Sequence, residues 1–192
     1  MTPPAQSYSI VVVGASWGGL HALSVLVGGL PPQFNVPLVL VQHRSRDAHS
    51  LLGTLLQDHT PLIVCEVDDK QPIAPGYVYL APADYHLLVD GVRFALSVEA
   101  RVQFARPSID VLFESVAESY RDRAIGIVLT GANEDGAAGL AAIKRNGGVS
   151  IVQDPLTAER RTMPDAAIAG SVADAVLPLR EIGPFLYGLC CP

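Results

Sequence analysis

Ser9-Ile10-Val11-Val12-Val13-Gly14-Ala15-Ser16-Trp17-Gly18-Gly19 is the stretch on which the fold turns. Ser9-Val13 is rich in β-branched residues, and a buried strand is the natural reading. Gly14 ends it. Gly19-Val27 then predicts a helix, closed by Gly28-Gly29 and stopped by Pro31-Pro32. Residues 1 to 43 contain no Asp, Glu, Lys or Arg. That run could be mistaken for a membrane span, but Gly14, Gly18-Gly19, His21 and Gly28-Gly29 interrupt it. A positive segment of the kind that opens a secretory signal is missing. Strand, tight turn and buried helix account for the run without membrane insertion.

Working outward, strands and helices alternate. Pro37-Gln42 predicts a second strand, Ser50-Asp58 a helix and Leu62-Val67 a third strand. Between Pro72 and Phe104 turn signals crowd among short strands. Leu87-Val89 and Arg93-Leu96 flank Asp90-Gly91, the signature of a tight hairpin, expected at a sheet edge. Ser108 can cap a helix running to about Arg121 with Ile109, Leu112, Phe113 and Val116 inward. Ala124-Leu129, Val149-Gln153 and Ala175-Leu177 predict strands. Ala137-Arg145, Pro164-Ala169 and Arg180-Leu189 predict helices, the first ended by Asn146-Gly147-Gly148. The expected fold is α/β in three layers: a doubly wound, mainly parallel sheet with an antiparallel edge hairpin.

Bulk composition agrees. In 192 residues, 49% are apolar and only 17% charged, against roughly 25% charged in typical domains. Strands buried on both faces explain the shortfall. The length suits one domain, expected over residues 7–189. A net charge of -6 lacks the basic footprint of a nucleic-acid binder. Cys65, in an apolar run, and Cys190-Cys191 near the C-terminus make neither a disulfide framework nor a zinc spacing. A reducing, cytoplasmic compartment is expected.

In open α/β sheets ligands bind beyond the carboxyl ends of the strands. Standing there are Gly14-Ala15-Ser16-Trp17-Gly18-Gly19, then Gln42-His43-Arg44, Thr130-Gly131-Ala132-Asn133-Glu134-Asp135-Gly136, and Gln153-Asp154-Pro155. Gly14-Ala15-Ser16-Trp17-Gly18 fits the G-x-S-x-G elbow that lifts a nucleophilic Ser over a helix N-terminus. A phosphate-binding or purely structural turn fits the pentapeptide too. A Ser hydroxyl needs a base, and His43 is the best placed. His21, His49, His59 and His86 are expected to serve solvent or local packing. An acid must orient the imidazole. Asp135 is favoured over Asp154, with Glu134 a lesser substitute; helix capping and an Asp-Pro turn are their respective structural readings. The Trp17 N–H is the natural first oxyanion donor. The order Ser…His…Asp differs from the Ser…Asp/Glu…His of α/β-hydrolases, which points to another serine hydrolase on a doubly wound sheet.

These residues resemble the catalytic domain of the CheB-type protein-glutamate methylesterases of bacterial chemotaxis. The match runs in order through Val12-Gly19, Val41-Gln42-His43, Ala74-Pro75-Gly76 with Tyr79-Leu80-Ala81-Pro82, Arg106-Phe113, Leu129-Thr130-Gly131, Asp135-Gly136-Ala137 with Gly139, Gln153-Asp154-Pro155 and Met163-Pro164. The resemblance implies a triad of Ser16, His43 and Asp135, and a backbone oxyanion donor at Ala132 beside Trp17. It implies hydrolysis of glutamate methyl esters on chemoreceptor signalling helices, release of methanol, deamidation of receptor glutamines, and no metal or cofactor. Two departures stand out. The family loop commonly reads Thr-Gly-Met-Gly where this chain has Thr130-Gly131-Ala132-Asn133, so contacts of the Met side chain are lost. Typical members carry a receiver domain, and none is expected in this chain. The partner is then either methylated chemoreceptor helices or a related signalling protein. Arg44, Arg46 and Arg160-Arg161 could complement an acidic helix or be solvated loop arginines. A catalytically weak module that docks on helical signalling partners is the alternative function. A nucleotide-binding domain is a third, but neither G-x-G-x-x-G nor a Walker Lys-Ser/Thr is present.

Overall fold

The computed structural model describes residues 7–44, 51–170 and 173–191. The chain runs through β1 (Ile10–Ala15), α1 (Gly19–Gly28), β2 (Leu38–Gln42), α2 (Leu51–Gln57), β3 (Ile63–Glu66) and β4 (Tyr77–Leu80). A hairpin of β5 (His86–Asp90) and β6 (Arg93–Ser97) follows. Alternation resumes with α3 (Ile109–Tyr120), β7 (Ala124–Val128), α4 (Ala137–Arg145), β8 (Val149–Gln153), α5 (Thr162–Gly170), β9 (Ala175–Leu177) and α6 (Leu179–Cys190).

The main sheet has seven strands in the order β3-β4-β2-β1-β7-β8-β9, and every pairing is parallel. β1 is buried along its length because both its faces are covered. Ile10 and Val12 pack with Ile109 and Phe113 of α3 and Leu140 and Ile143 of α4. Val11, Val13 and Ala15 pack with Leu23 and Leu26 of α1 and Ile182 and Leu186 of α6. The uninterrupted apolar run thus serves two cores, which makes three layers. The winding reverses between β1 and β7, and such switch points open a crevice at the strand ends. Among the described residues no helix is long and apolar enough to cross a membrane.

Two placements differ from expectation. The hairpin forms, with Asp90 opposite Arg93, but as a separate two-stranded sheet lying on α3. Ser115 Oγ accepts from the Val89 N–H at 3.0 Å, and Ser119 Oγ donates to the Val89 carbonyl at 3.2 Å. The backbone of β6 pairs instead with residues 71–73, through Phe94 N to Gln71 O and Ile73 N to Val92 O. With both flanks occupied, the hairpin does not extend the main sheet. Tyr77-Val78-Tyr79-Leu80, one of the short β-rich runs, enters that sheet between β2 and β3. Cys65 is half-buried in β3, and Cys190 ends α6 with its thiol pushed up to about 12 by burial and the neighbouring Cys191.

α3 and α4 approach closely at Gly139. A Cβ there would stand 2.5 Å from Phe113 Cβ and 3.0 Å from the Asp110 backbone. Gly139→Ala is expected to cost about 1–3 kcal/mol through overpacking. Gly188→Ala, on α6 where a Cβ would meet nothing within 4 Å, is expected to stabilise by about 0.5–1 kcal/mol. Urea midpoints of both variants, measured under one condition, check the contrast.

Candidate active site

The carboxyl ends of β1, β2 and β7 meet at one point. Ala15 is in register with Gln42, so the next residues, Ser16 and His43, are neighbours across adjacent strands. His43 N donates to Ala15 O and Ser16 N to Thr130 O, each at 3.0 Å. Ser16-Trp17-Gly18 turns the chain into α1, with Gly18 in the left-handed region at φ 77°. Only glycine enters that region without penalty, and a Cβ at Gly19 would overlap the Gln42 amide. Gln42 Nε2 donates to the carbonyls of both Ser16 (2.8 Å) and His43 (2.9 Å). This side chain ties the elbow to the strand that carries the imidazole, a role that no local sequence signal marks.

Asp135 is wholly buried and meets the His43 imidazole, Oδ2 to Nε2, at 2.7 Å. Its carboxylate also sits on the N-terminus of α3. Oδ1 accepts from Ser108 Oγ (2.8 Å) and Asp110 N (3.0 Å), and Oδ2 accepts from Ile109 N (2.7 Å). Capping is therefore part of its role, but of α3 and not of the helix it precedes. The N-cap of α4 is Gly136, and its amides are served by Asp110, whose Oδ1 accepts from Gly136 N (2.9 Å) and Gly139 N (2.7 Å). Each helix thus lends a carboxylate to the other. Burial pushes the Asp135 carboxyl up, yet the His43 hydrogen bond and the Asp110 and Ile109 amides outweigh it and hold it below the usual range. For Asp110 burial wins over the Gly139 amide, and with the Asp135 charge adding, its carboxyl is pushed up to about 6.

With Nε2 turned to Asp135, His43 presents Nδ1 to the cleft, where Asn133 Nδ2 lies 3.3 Å away. Among the described residues no hydrogen bond joins Ser16 Oγ to His43. The backbone N–H groups of Trp17 and Ala132 also have no partner among those residues. The Trp17 indole is half-exposed but held, its Nε1 donating to Glu159 Oε1 at 2.7 Å and its face lying 5.3 Å from the Arg160 guanidinium. Thr130 Oγ1 donates to Trp17 O and accepts from Arg160 N, each at 2.9 Å, which pins the loop 154–161 over the elbow. The buried polar side-chain atoms without a partner among the described residues are Gln42 Oε1, Arg44 Nε and Asn133 Oδ1, all beside His43.

The remaining candidates lie elsewhere. Asp154 Oδ1 caps a turn at Leu156 N (2.9 Å), and Glu134 is exposed. His21 and His59 are exposed. His86 is buried as a structural link, Nε2 at 3.0 Å from Ala100 O and Nδ1 accepting from Ser108 N at 3.3 Å. Arg44 pairs with Glu66 and Arg161 with Asp165. His49 and Arg46 lie outside the described residues. No group of three His, Cys, Asp or Glu that could hold a metal occurs among the described residues.

Comparison with known proteins matches residues 11–186 to the CheB methylesterase family. A Leptospira interrogans relative is 45% identical over 178 residues, the match covering 92% of each chain. Proteins named protein-glutamate methylesterase/protein-glutamine glutaminase in Caulobacter vibrioides and Thermotoga maritima are 37% and 36% identical over 95% of this chain. This chain spans 54% of the length of each. The crystal structure of the Thermotoga maritima CheB methylesterase catalytic domain superposes with a TM-score of 0.91 at 34% identity, covering 95% of this chain and 99% of that one. The arrangement of Ser16, His43 and Asp135 thus stands in a fold shared along nearly the whole chain, and the chain belongs to the CheB methylesterase family.

Proposed function

We propose that residues 7–189 act as one catalytic domain, a serine hydrolase that removes methyl groups from glutamate methyl esters and deamidates glutamines. Its substrates are the cytoplasmic helices of chemoreceptors or a related signalling protein, and its place is the cytoplasm. The names of the relatives support the reaction. The observation that carries the reading is the 2.7 Å pair of His43 and buried Asp135 beside the Ser16 elbow, with the Trp17 and Ala132 N–H groups unengaged.

The chemistry follows. Ser16 Oγ attacks the ester carbonyl as His43 Nδ1 takes its proton, displacing the long Asn133 contact. Asp135 holds Nε2–H and stabilises the imidazolium. The tetrahedral oxyanion is received by the N–H groups of Trp17 and Ala132 at the positive end of α1. The C–O bond breaks, methanol leaves with the proton from His43, and an acyl-Ser16 remains. His43 then deprotonates water, which attacks the acyl carbon. Glutamate leaves and the Ser16 hydroxyl is restored. A glutamine follows the same route with ammonia as leaving group. The contact of Nδ1 with Asn133 instead of Ser16 is what favours the second reading, a catalytically weak module that binds helical partners.

Methanol release from a methyl-esterified helical peptide separates the two readings. Ser16→Ala is expected to lose at least about 10⁴-fold in kcat and Asp135→Asn about 10³-fold or more. Asp154→Asn should stay within about threefold, since it caps a turn. Equal rates for wild type and Ser16→Ala establish the weak module, and a larger loss for Asp154→Asn than for Asp135→Asn moves the acid.

The two carboxylates act oppositely on stability. Asp110 binds its proton more tightly in the folded chain, from 3.8 up to about 6, so its contribution declines as pH rises through that window. Asp135, held low, contributes stability above 3.8 that is lost as pH falls through its folded value. Asp110→Asn removes the first effect. Its unfolding free energy at about pH 7 minus that at about pH 4 should be more positive than in wild type, as chemical denaturation at the two pH values will read.

A further inference from the structure

A cleft of about 590 Å³ opens on the His43 imidazole and is walled on its far side by Arg101, Gln103, Phe104 and Arg106. That wall contains an unusual reversal. Val102 and Ala105 exchange backbone hydrogen bonds of 3.1 and 2.8 Å, and between them Gln103 and Phe104 both have positive φ, 48° and 65°. Turns with two left-handed residues favour Asn-Gly or Gly-Gly, and a bulky aromatic in that region is an outlier. Phe104 is also 94% exposed. Neither backbone preference nor burial favours this side chain within the chain itself.

The turn is nevertheless firmly held. Gln103 Nε2 donates to Asp110 Oδ2 at 3.0 Å, the same carboxylate that serves the N-terminus of α4. Behind it the Arg106 guanidinium donates to Asp84 Oδ1 (2.8 and 3.2 Å) and to the carbonyls of Val98 and Glu99 (2.7 and 2.8 Å). Phe104 is presented on a fixed mount whose hydrogen bonds reach the active-site network. Arg44 in the cleft is paired with Glu66, and Arg106 and Arg101 share Asp84 at 2.8 and 3.6 Å, which leaves a small positive excess on this wall in a chain of net charge -6. Arg101 is itself largely exposed.

We propose that the Val102–Ala105 turn is the docking element for the substrate helix. Phe104 seats between apolar side chains of an acidic amphipathic helix, and the exposed Arg101 beside it faces that helix's carboxylates. The target glutamyl side chain reaches Ser16 across the cleft. Aromatic side chains that become buried in a partner are the commonest binding hot spots, and a helix laid against such a wall presents anchors at helical spacing. The assignment rests on the hydrolase reading for its substrate but concerns recognition rather than chemistry.

The test uses a fluorescein-labelled, Glu-rich helical hairpin carrying one glutamate methyl ester, bound to the Ser16→Ala protein and followed by anisotropy. Adding Phe104→Ala or Phe104→Gly should weaken binding by about tenfold. In the active protein the same changes should raise KM for methanol release by a similar factor and leave kcat, and hydrolysis of a small activated ester, unchanged. Phe104→Gly should melt at the same or a higher temperature, because it relieves the positive φ. Unaltered binding by the Phe104 variants overturns the proposal. So does an equal slowing of the small ester, or a Ser16→Ala protein that does not bind the hairpin at all. Binding that depends on Phe104, with no more methanol from wild type than from Ser16→Ala, leaves docking standing and removes the hydrolase reading instead.

Discussion

The carboxylate of Asp135 lies out of solvent, and donors converge on it from Ser108, Ile109, Asp110 and His43. An ionised carboxylate offers roughly four acceptor directions, and all are used. An uncompensated charge at that depth would be prohibitive, so the surround has to be complete before the ion is tolerated. Three of the donors belong to the first turn of α3 and its cap, and they do not move independently. His43 is the fourth and the one on the cleft side. The Asp135 carboxylate is therefore fixed by the fold, and the His43 imidazole is fixed by that carboxylate.

Asp110 performs the reverse service for α4, so the two helix starts are locked through exchanged side chains. The positive ends of both helices offset two like charges held close together. Burial first, and the Asp135 charge after it, pushes the Asp110 carboxyl up to about 6. Gly139 completes the device from below, since the exchange needs the helices nearly in backbone contact. The Arg106-to-Phe113 stretch is thus at once a helix start, a clamp on Asp135 and, through Gln103, the support of the cleft wall.

What was legible in the sequence follows from what is local. The β1 run, the G-x-S-x-G turn, the Ser108 cap and the Asp90-Gly91 hairpin each carry their signal within a few residues. Those positions put Ser16 and His43 at one sheet edge, because chain order and parallel pairing decide where strand ends fall. The entry of Tyr77–Leu80 between β2 and β3 is a matter of pairing order, which four β-rich residues do not encode. The hairpin missed the sheet edge because Ser115 and Ser119 of α3 hold it by hydrogen bonds formed across about thirty residues of chain. The crossed capping was hidden for the same reason: an Asp before a helix reads as the cap of that helix, and here it caps another. Gln42 looked like the polar end of a strand, and only the closed turn shows its amide bridging Ser16 and His43.

Trp17 is the single tryptophan of the chain. It follows Ser16 directly, with the Arg160 cation over its face and the Glu159 carboxylate at its Nε1. The molecule accordingly carries one indole chromophore, and that chromophore belongs to the elbow and not to either core. Its fluorescence is an optical property of the site alone. Anything that enters beside Ser16, or lifts the loop 154–161, alters the field around that ring, whereas a disturbance confined to the far layers of the fold leaves its emission as it was.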